Sequence, residues 1–173
     1  MELKYKEFKN HLNHVFFETG SYSGNGVQAA LDSGFKEIFS MEINPPNYKE
    51  CMERFSGVNN VAIIHGDSCV DLFDVIKHIE LPITFWLDAH YSGEGSPKGH
   101  VKYPLLYELN QIRKHPIKTH TIIIDDMRCW RGFNPARDHD DTNIIDTIMA
   151  INKDYKITYV DGTDKNDVLI ASL

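Results

Sequence analysis

The chain has 173 residues, 42% of them hydrophobic, which is enough for a single domain with one core. Its 18 basic and 25 acidic residues give a net charge of −7 with no basic cluster, so nucleic acid is a poor candidate partner. Three distant cysteines exclude a disulfide framework and a CxxC metal site, and favour reduced thiols in the cytoplasm. No apolar run approaches the roughly 20 residues that cross a bilayer, so we expect no membrane partner.

Apolar runs alternate with amphipathic stretches along the chain. The runs predict strands at His14–Glu18, Glu37–Ile43, Asn60–Ile64, Pro82–Leu87, Thr121–Ile124, Lys156–Val160 and Asp167–Ser172. The stretches predict helices at Gly24–Leu31, from Pro45-Pro46 to about Phe55, and at Val70–Ile79, Leu105–Lys114 and Asn143–Asn152. We expect one domain over residues 1–173. Whether it belongs to a longer enzyme or forms a homo-oligomer is left open.

The order of these elements predicts an α/β fold. Five strands that alternate with helices favour a parallel sheet with helices on both faces. The last two strands are joined by the short turn Asp161–Asp164, which leaves no room for a crossover and makes them antiparallel. A mostly parallel sheet with a C-terminal antiparallel hairpin resembles the Rossmann-like sheet of class I methyltransferases. The resemblance covers about His14 to Leu173.

A glycine loop follows the first predicted strand, in the stretch Phe16–Gly26. Its glycines do not have the G-x-G-x-x-G spacing of a nicotinamide-binding loop. Glu18 precedes the first glycine, where a carboxylate would repel a phosphate and suits a cationic ligand instead. A plain glycine turn between strand and helix is the alternative.

The Glu-x-Gly-x-x-x-Gly order of this loop resembles the first motif of metal-dependent O-methyltransferases of the catechol and caffeoyl-CoA type. That resemblance implies S-adenosylmethionine (SAM) as the methyl donor, which carries an ammonium and a sulfonium. It also implies that the loop contacts the donor through Glu18, Thr19, Gly20, Ser21, Tyr22, Ser23 and Gly24.

Two further acids follow the next two strands. Glu42 ends the second strand, where an acid can accept both ribose hydroxyls, and Asp67 follows the third, where the family places an acid near the adenine amino group. Their neighbours Ile43 and Ser68 are predicted to share the donor site, together with Asp88. Each acid taken singly is equally compatible with a solvated turn.

Carboxylates also follow the fourth and fifth strands, at Asp88 and at Asp125-Asp126. Crowded carboxylates repel one another unless a cation compensates, and hard oxygen ligands suit Mg²⁺. The pattern resembles the metal triad of catechol-type enzymes and is similar to that of macrocin-type sugar O-methyltransferases. We therefore predict a divalent cation held by Asp88, Asp125 and Asp126. Helix capping or turn chemistry is the alternative for the Asp125-Asp126 pair.

Methyl transfer to a hydroxyl needs an activated oxygen and an acceptor for its proton. A divalent cation lowers the pKa of a bound hydroxyl, and Asp88 or His90 can take the proton. Arg128, Trp130 and Arg131 are predicted either to border the acceptor site or to belong to a surface loop. The stretches Tyr91–Gly99 and Arg131–Thr142 are candidate substrate-side loops.

The stretch Asn44–Tyr48 resembles the Asn-Pro-Pro-Tyr motif of DNA amino-methyltransferases, but it has an inserted Asn47 and follows the second strand instead of the fourth. Two prolines there begin the next helix. DNA methylation is therefore rejected.

The acceptor is predicted from what precedes the first strand. Catechol-type enzymes roof their acceptor with N-terminal helices, and this chain has about a dozen residues there, which favours a large or polymeric substrate. The expected reaction is methylation of a sugar or glycan hydroxyl. A small phenolic acceptor, a non-catalytic binding module and a metal-dependent hydrolase are the alternatives, and the last would leave Glu18 and Glu42 without a role.

Overall fold

A computed structural model describes residues 2–90, 99–130 and 141–173, with side chains from residues 6 and 142 onward in the first and last ranges. The strands are β1 Val15–Thr19, β2 Glu37–Glu42, β3 Val61–His65, β4 Ile83–Leu87, β5 Thr121–Ile124, β6 Lys156–Val160 and β7 Val168–Ser172. The helices are α1 Glu2–Asn10, α2 Asn25–Ser33, α3 Pro45–Arg54, α4 Ser68–Ile76, α5 Leu105–Lys114 and α6 Asp141–Ile151, and a 3-10 turn covers Met127–Cys129.

The strands form one sheet in the order β3-β2-β1-β4-β5-β7-β6. β1 to β5 pair in parallel, and β7 pairs antiparallel with both β5 and β6. The predicted fold class, with its C-terminal antiparallel hairpin, is confirmed. The strand order reverses between β1 and β4, and in such sheets ligands bind beyond the carboxyl ends of the strands at that point.

Alternate side chains of the central strands enter two separate hydrophobic cores. Phe17 and Phe85 face α4, α5 and α6, whereas Phe16 and Trp86 face α1, α2 and α3. All five residues of β1 and of β4 are buried, as expected for central parallel strands covered on both faces. The apolar runs of these strands therefore hold the sheet rigid beneath the loops at its carboxyl edge.

The helix α1 was not predicted, because polar and charged residues dominate its sequence and leave no continuous apolar stripe, although one large apolar side chain lies near its C-terminal end. That side chain, Phe8, is fully buried, and its ring centroid lies 5.0 Å from that of Trp86. The chain then passes the amino end of β4, where Thr84 Oγ1 donates to the His11 carbonyl at 2.6 Å. This N-terminal segment is therefore anchored at the sheet edge opposite to the carboxyl ends of the strands.

Several boundaries differ from the predictions for identifiable reasons. α4 begins at Ser68 instead of Val70, because Asp67 accepts the backbone N–H of Cys69 at 2.9 Å and caps the helix. β7 begins at Val168, since the carboxylate of Asp167 binds Arg128. Among the described helices, none combines the length and apolarity needed to cross a bilayer.

Candidate active site

A cavity of about 400 Å³ opens at the carboxyl edge of the sheet. Each of the five parallel strands contributes a residue to its wall at or just beyond its end, in order Gly20, Glu42, Gly66, Asp88 and Asp126. Parallel strands direct their carboxyl ends to one edge, which is why residues far apart in sequence meet here. The remaining wall comes from the loop residue Tyr22, from Met41, Ile43, Asn47, Asp67, Ser68, Ala89, His90 and Arg128, and from the segment Gly99–Pro104.

The glycine loop bends closely around neighbouring backbone. Gly20 has φ of +83°, and a Cβ atom there would lie 3.1 Å from the carbonyl oxygen of Asp88. Gly24 has φ of +78°, and its Cβ would lie 2.6 Å from the Phe55 ring. Only glycine meets both requirements readily. The loop thus leaves bare backbone at the cavity beside Gly20, which fits a ligand lying against it.

Glu18 supports the loop from beneath. It is 1% exposed, and its Oε2 accepts the hydroxyl of Ser40 at 2.6 Å, which itself lies 2.6 Å from the Ser21 hydroxyl. A Cβ atom at Gly26 would lie 1.7 Å from Glu18 Oε1, so the first turn of α2 rests directly on this carboxylate. Glu18 therefore shapes the loop and does not line the cavity.

The predicted donor-site residues divide accordingly into two groups. Those that line the cavity are Gly20, Tyr22, Glu42, Ile43, Asp67, Ser68 and Asp88. Those that are not among its lining residues are Glu18, Thr19, Ser21, Ser23 and Gly24. Within the loop itself, the backbone at Gly20 and the exposed ring of Tyr22 reach the cavity.

Glu42 joins the glycine loop to the end of β2. The residue is 5% exposed, and its Oε2 accepts the N–H of Tyr22 at 2.7 Å while its Oε1 accepts the N–H of Asn44 at 2.8 Å. Tyr22 has a left-handed φ of +46°, which is uncommon for a bulky residue. Each oxygen of Glu42 keeps a second lone pair, so the carboxylate can still accept a ligand hydroxyl.

Asp67 connects the end of β3 to the last residue of the predicted loop Tyr91–Gly99 and to His100, which the sequence did not indicate as a site residue. Its Oδ2 accepts the N–H of His100 at 2.6 Å, and a Cβ atom at Gly99 would lie 2.6 Å from the same oxygen. Gly99 thus permits the chain to pass closely over Asp67. The rest of the predicted loop Tyr91–Gly99 lies outside the described residues, as does most of Arg131–Thr142.

The opposite end of the cavity holds a row of charged side chains. His90 Nε2 lies 3.3 Å from Asp126 Oδ2, and His90 Nδ1 lies 3.8 Å from Asp88 Oδ1. Asp126 Oδ1 lies 2.6 Å from Nη1 of Arg128, which also pairs with the buried Asp167. The structure therefore brings together the two predicted catalytic residues, Asp88 and His90, and adds a guanidinium.

Burial alone would raise the pKa of the Asp167 carboxyl. Hydrogen bonds from the backbone of Arg128 and Asp164, together with the Arg128 guanidinium, outweigh burial and hold this pKa below its ordinary value. Burial has the opposite effect on a cation and would lower the pKa of Arg128. The carboxylates of Asp126 and Asp167 outweigh burial and raise that pKa. The Arg128–Asp167 pair is therefore fully charged at neutral pH.

The predicted metal triad is not assembled as one ligand set. Asp125 lines a second, smaller cavity of about 10 Å³, and its Oδ1 accepts the N–H of Asp126 at 2.9 Å. Among the described residues, the metal-ligating atoms found within 4.8 Å of one another belong to His90, Asp126 and Cys129. This mixed nitrogen, oxygen and sulfur set does not fit the all-oxygen coordination that Mg²⁺ prefers. Arg128 already supplies a positive charge to Asp126.

A buried acid lies behind the wall and was not predicted. Glu108, on α5, is fully buried and also lines the smaller cavity with Asp88 and Asp125. Burial raises the pKa of Glu108 to about 7, although hydrogen bonds with Ser68 and Thr19 act in the opposite direction. Its Oε1 has no hydrogen-bond partner in the described part of the chain. The sequence signal was an acid within the apolar stripe of a helix.

Two of the three cysteines do not contribute a nucleophile. Cys51 and Cys69 are buried free thiols, and burial raises the pKa of each to about 11, so both stay protonated at neutral pH. Of the three residues whose role was left open, Trp130 is buried with its ring 5.4 Å from that of Tyr103, and Arg131 lies outside the described residues. Arg128, the third, lines the cavity.

No family model matches the chain, and no curated protein matches it significantly. Solved structures do match. The O-methyltransferase TomG from Streptomyces achromogenes in complex with SAM gives a TM-score of 0.67 at 10% identity, over 99% of this chain and 78% of that one. The SAH-bound methyltransferase PaMTH1 from Podospora anserina gives 0.64 at 14% identity, over 98% and 76%. DesVI from Streptomyces venezuelae gives 0.63 at 7% identity, over 98% and 90%. The chain has the Rossmann-like fold of class I methyltransferases.

Proposed function

We propose that this chain is a SAM-dependent O-methyltransferase that methylates a hydroxyl of a sugar or glycan. The proposal rests on one observation. The cavity of about 400 Å³ has Gly20 and Glu42 at one end and the cluster of Asp88, His90 and Asp126 at the other. SAM-bound and SAH-bound structures with the same fold support the choice of donor.

The cavity wall fits the chemistry of this donor. Gly20 leaves the backbone uncovered, and Glu42 offers carboxylate lone pairs to two ribose hydroxyls. Asp67 and Ser68 would border the adenine, and Asp88 would lie nearest to the methionine part. When bound, SAM supplies a methyl group on a sulfonium, which an oxygen nucleophile attacks in line. The acidic wall suits a cationic ligand better than a phosphate-bearing one.

His90 is suited to take the proton of the acceptor hydroxyl. Nε2 lies 3.3 Å from Asp126 Oδ2, so a proton carried on Nε2 would face this carboxylate and leave Nδ1 as the basic atom. Nδ1 is 3.8 Å from Asp88, too far for a direct hydrogen bond, so it is open to a substrate hydroxyl. Asp88 and Asp126 then flank the imidazolium that forms and stabilise its charge. A positioned base of this kind contributes typically 10²- to 10⁴-fold to a rate.

Two features of the structure favour a sugar over a planar phenol. The described wall at this end of the cavity is polar, with Asp88, His90, Lys102, Asp126 and Arg128, and hydroxyl-rich ligands match such groups. The N-terminal helix α1 packs against one face of the sheet, where Phe8 contacts Trp86, and none of its described side chains lines the cavity. The proposed reaction contains no metal-assisted step, because Asp125 lines the smaller cavity and Asp126 is paired with Arg128.

The experiment is a calorimetric titration with SAM, followed by a labelled-methyl assay on glycans and on small phenols. We expect SAM to bind and sugar hydroxyls to be methylated, and we expect His90→Ala to lower transfer by about 10²- to 10⁴-fold while binding SAM normally. Absence of SAM binding would overturn the proposal. Transfer to phenols alone would establish the alternative acceptor, and binding without transfer to any acceptor would indicate a non-catalytic module.

A further inference from the structure

Asp167 lies at the far end of a connected set of charged groups that reaches the cavity. It immediately precedes β7 and is fully buried. Its Oδ1 accepts the backbone N–H of Arg128 at 2.8 Å, and its Oδ2 pairs with the Arg128 guanidinium. Its backbone carbonyl accepts the N–H of Met127 at 2.7 Å. Asp167 therefore holds both the backbone and a side chain of the turn that follows β5.

Arg128 connects this anchor to Asp126. A single nitrogen, Nη1, pairs with Asp167 and lies 2.6 Å from Asp126 Oδ1. Asp126 has φ of +57°, a left-handed conformation that residues with a side chain seldom adopt and that persists only where the surroundings support it. The Arg128 guanidinium supplies such support to the Asp126 side chain.

Asp126 in turn contacts His90. Its Oδ2 lies 3.3 Å from Nε2, so its negative charge favours a proton on that nitrogen and, with it, one tautomer and orientation of the ring. The two oxygens of Asp126 are thus divided between Arg128 and His90. A displaced guanidinium would rotate the carboxylate and release the ring.

We infer that Asp167 is a positioning residue for His90 and acts through Arg128 and Asp126. This inference rests on the proposed function, since it assumes that His90 takes the proton. Asp167 itself does not line the cavity, so a change there leaves the donor-binding wall intact. The competing explanation is an ion pair that only stabilises the C-terminal hairpin. Such a pair would affect the folded fraction and not the turnover of folded molecules.

The test compares Asp167→Asn with Asp164→Asn, an exposed carboxylate in the same turn. Asparagine keeps the size of the side chain but cannot offer two charged oxygens to Arg128. We expect Asp167→Asn to lower kcat by about tenfold or more, a typical loss for a displaced catalytic base, with an unchanged dissociation constant for SAM. Asp164→Asn should match the wild type. Unchanged kcat in folded Asp167→Asn would overturn the inference.

A second comparison holds even if Asp167→Asn folds poorly. Arg128→Lys keeps the positive charge but loses the planar fork, and we expect it to lower kcat in the same way. In a His90→Ala background, adding Arg128→Lys or Asp167→Asn should reduce residual transfer no further, because the group they position is gone. Equal losses in both backgrounds would establish a purely structural pair. Absence of transfer by the wild type would instead reject the proposed function.

Discussion

The carboxylate of Glu42 accepts the backbone N–H of Tyr22 at 2.7 Å, and so ties the end of β2 to the loop that follows β1. The two strands are neighbours in the sheet, and the bond spans the wall of the cavity between them. One side chain therefore fixes the loop and lines the cavity.

Replacing Glu42 tests this double role. We expect Glu42→Gln to weaken SAM binding by about tenfold or more, since hydrogen bonds to a charged group contribute about 1.5–3 kcal/mol. Calorimetry measures the affinity. The matched control is Glu37→Gln at the start of β2, where the side chain is exposed and pairs only with His14 in the described contacts. An affinity equal to that of the wild type would remove Glu42 from the donor site.

Gly26→Ala tests the contact between α2 and Glu18. In an unobstructed helix, alanine is more stable than glycine by about 1 kcal/mol. Here the added Cβ would lie 1.7 Å from Glu18 Oε1, so we expect destabilisation by about 1–3 kcal/mol in urea unfolding. The control is Gly57→Ala, where no atom lies within 4 Å of the new Cβ and only the φ of +85° opposes it. A stabilised Gly26→Ala variant would contradict the observed packing.

The buried environment of His120 predicts that the free energy of unfolding decreases at acidic pH. His120 Nδ1 accepts the N–H of Ile83 at 3.0 Å, and its Nε2 contacts His115 Nδ1 at 3.1 Å. His115 Nε2 lies 3.0 Å from the carbonyls of Ile76 and Ile79, so both rings are satisfied when neutral. Burial, followed by the proximity of His115, lowers the pKa of His120 to about 3.

The sign of the effect follows from proton uptake. Between about pH 6.5 and pH 3 the unfolded chain protonates His120 and the folded chain does not, so this contribution to the free energy of unfolding falls as the pH falls, by up to about 5 kcal/mol. We expect His120→Gln to flatten that slope in urea unfolding between pH 4 and pH 7. A variant with the wild-type slope would show that another group causes it.

The buried environment of Glu108 predicts the opposite trend, in which the free energy of unfolding decreases as the pH rises. Its folded pKa of about 7 exceeds the ordinary glutamate pKa of 4.5, so the folded chain binds more protons between these two pH values. The contribution of Glu108 to stability is therefore lost as the pH rises from about 4.5 to 7, by up to about 3 kcal/mol. We expect Glu108→Gln to gain stability relative to the wild type over this range, measured by urea unfolding. A constant difference between the two proteins would contradict the assignment.

A chelator tests whether the carboxylates near His90 need a divalent cation for activity. Because Arg128 already pairs with Asp126 and Asp125 lies at another cavity, we expect methyl transfer to persist in EDTA. The control is the same assay with added Mg²⁺, which should give no increase. Loss of transfer in EDTA and recovery with Mg²⁺ would instead support the triad of Asp88, Asp125 and Asp126.

The sequence by itself determined the fold class. Apolar runs buried on both faces of a parallel sheet are visible without knowledge of the partners, and the short turn at Asp161–Asp164 excludes a crossover. The acids at strand ends also placed Glu42, Asp67, Asp88 and Asp126 at one edge, since parallel strands end together. The local sequence pattern was sufficient to predict these features, because the positions of the strand ends follow from the direction of the chain.

Tertiary structure decided which of these residues face the cavity and what each one binds. Glu18 and Glu42 both end strands, but the glycine of α2 covers the first and the turn after β2 leaves the second open. Asp125 and Asp126 are adjacent, and the left-handed backbone at Asp126 sends them to different cavities. The pairing of Arg128 with Asp167 joins residues 39 positions apart. Such contacts depend on long-range packing and single backbone dihedrals, which no local pattern encodes.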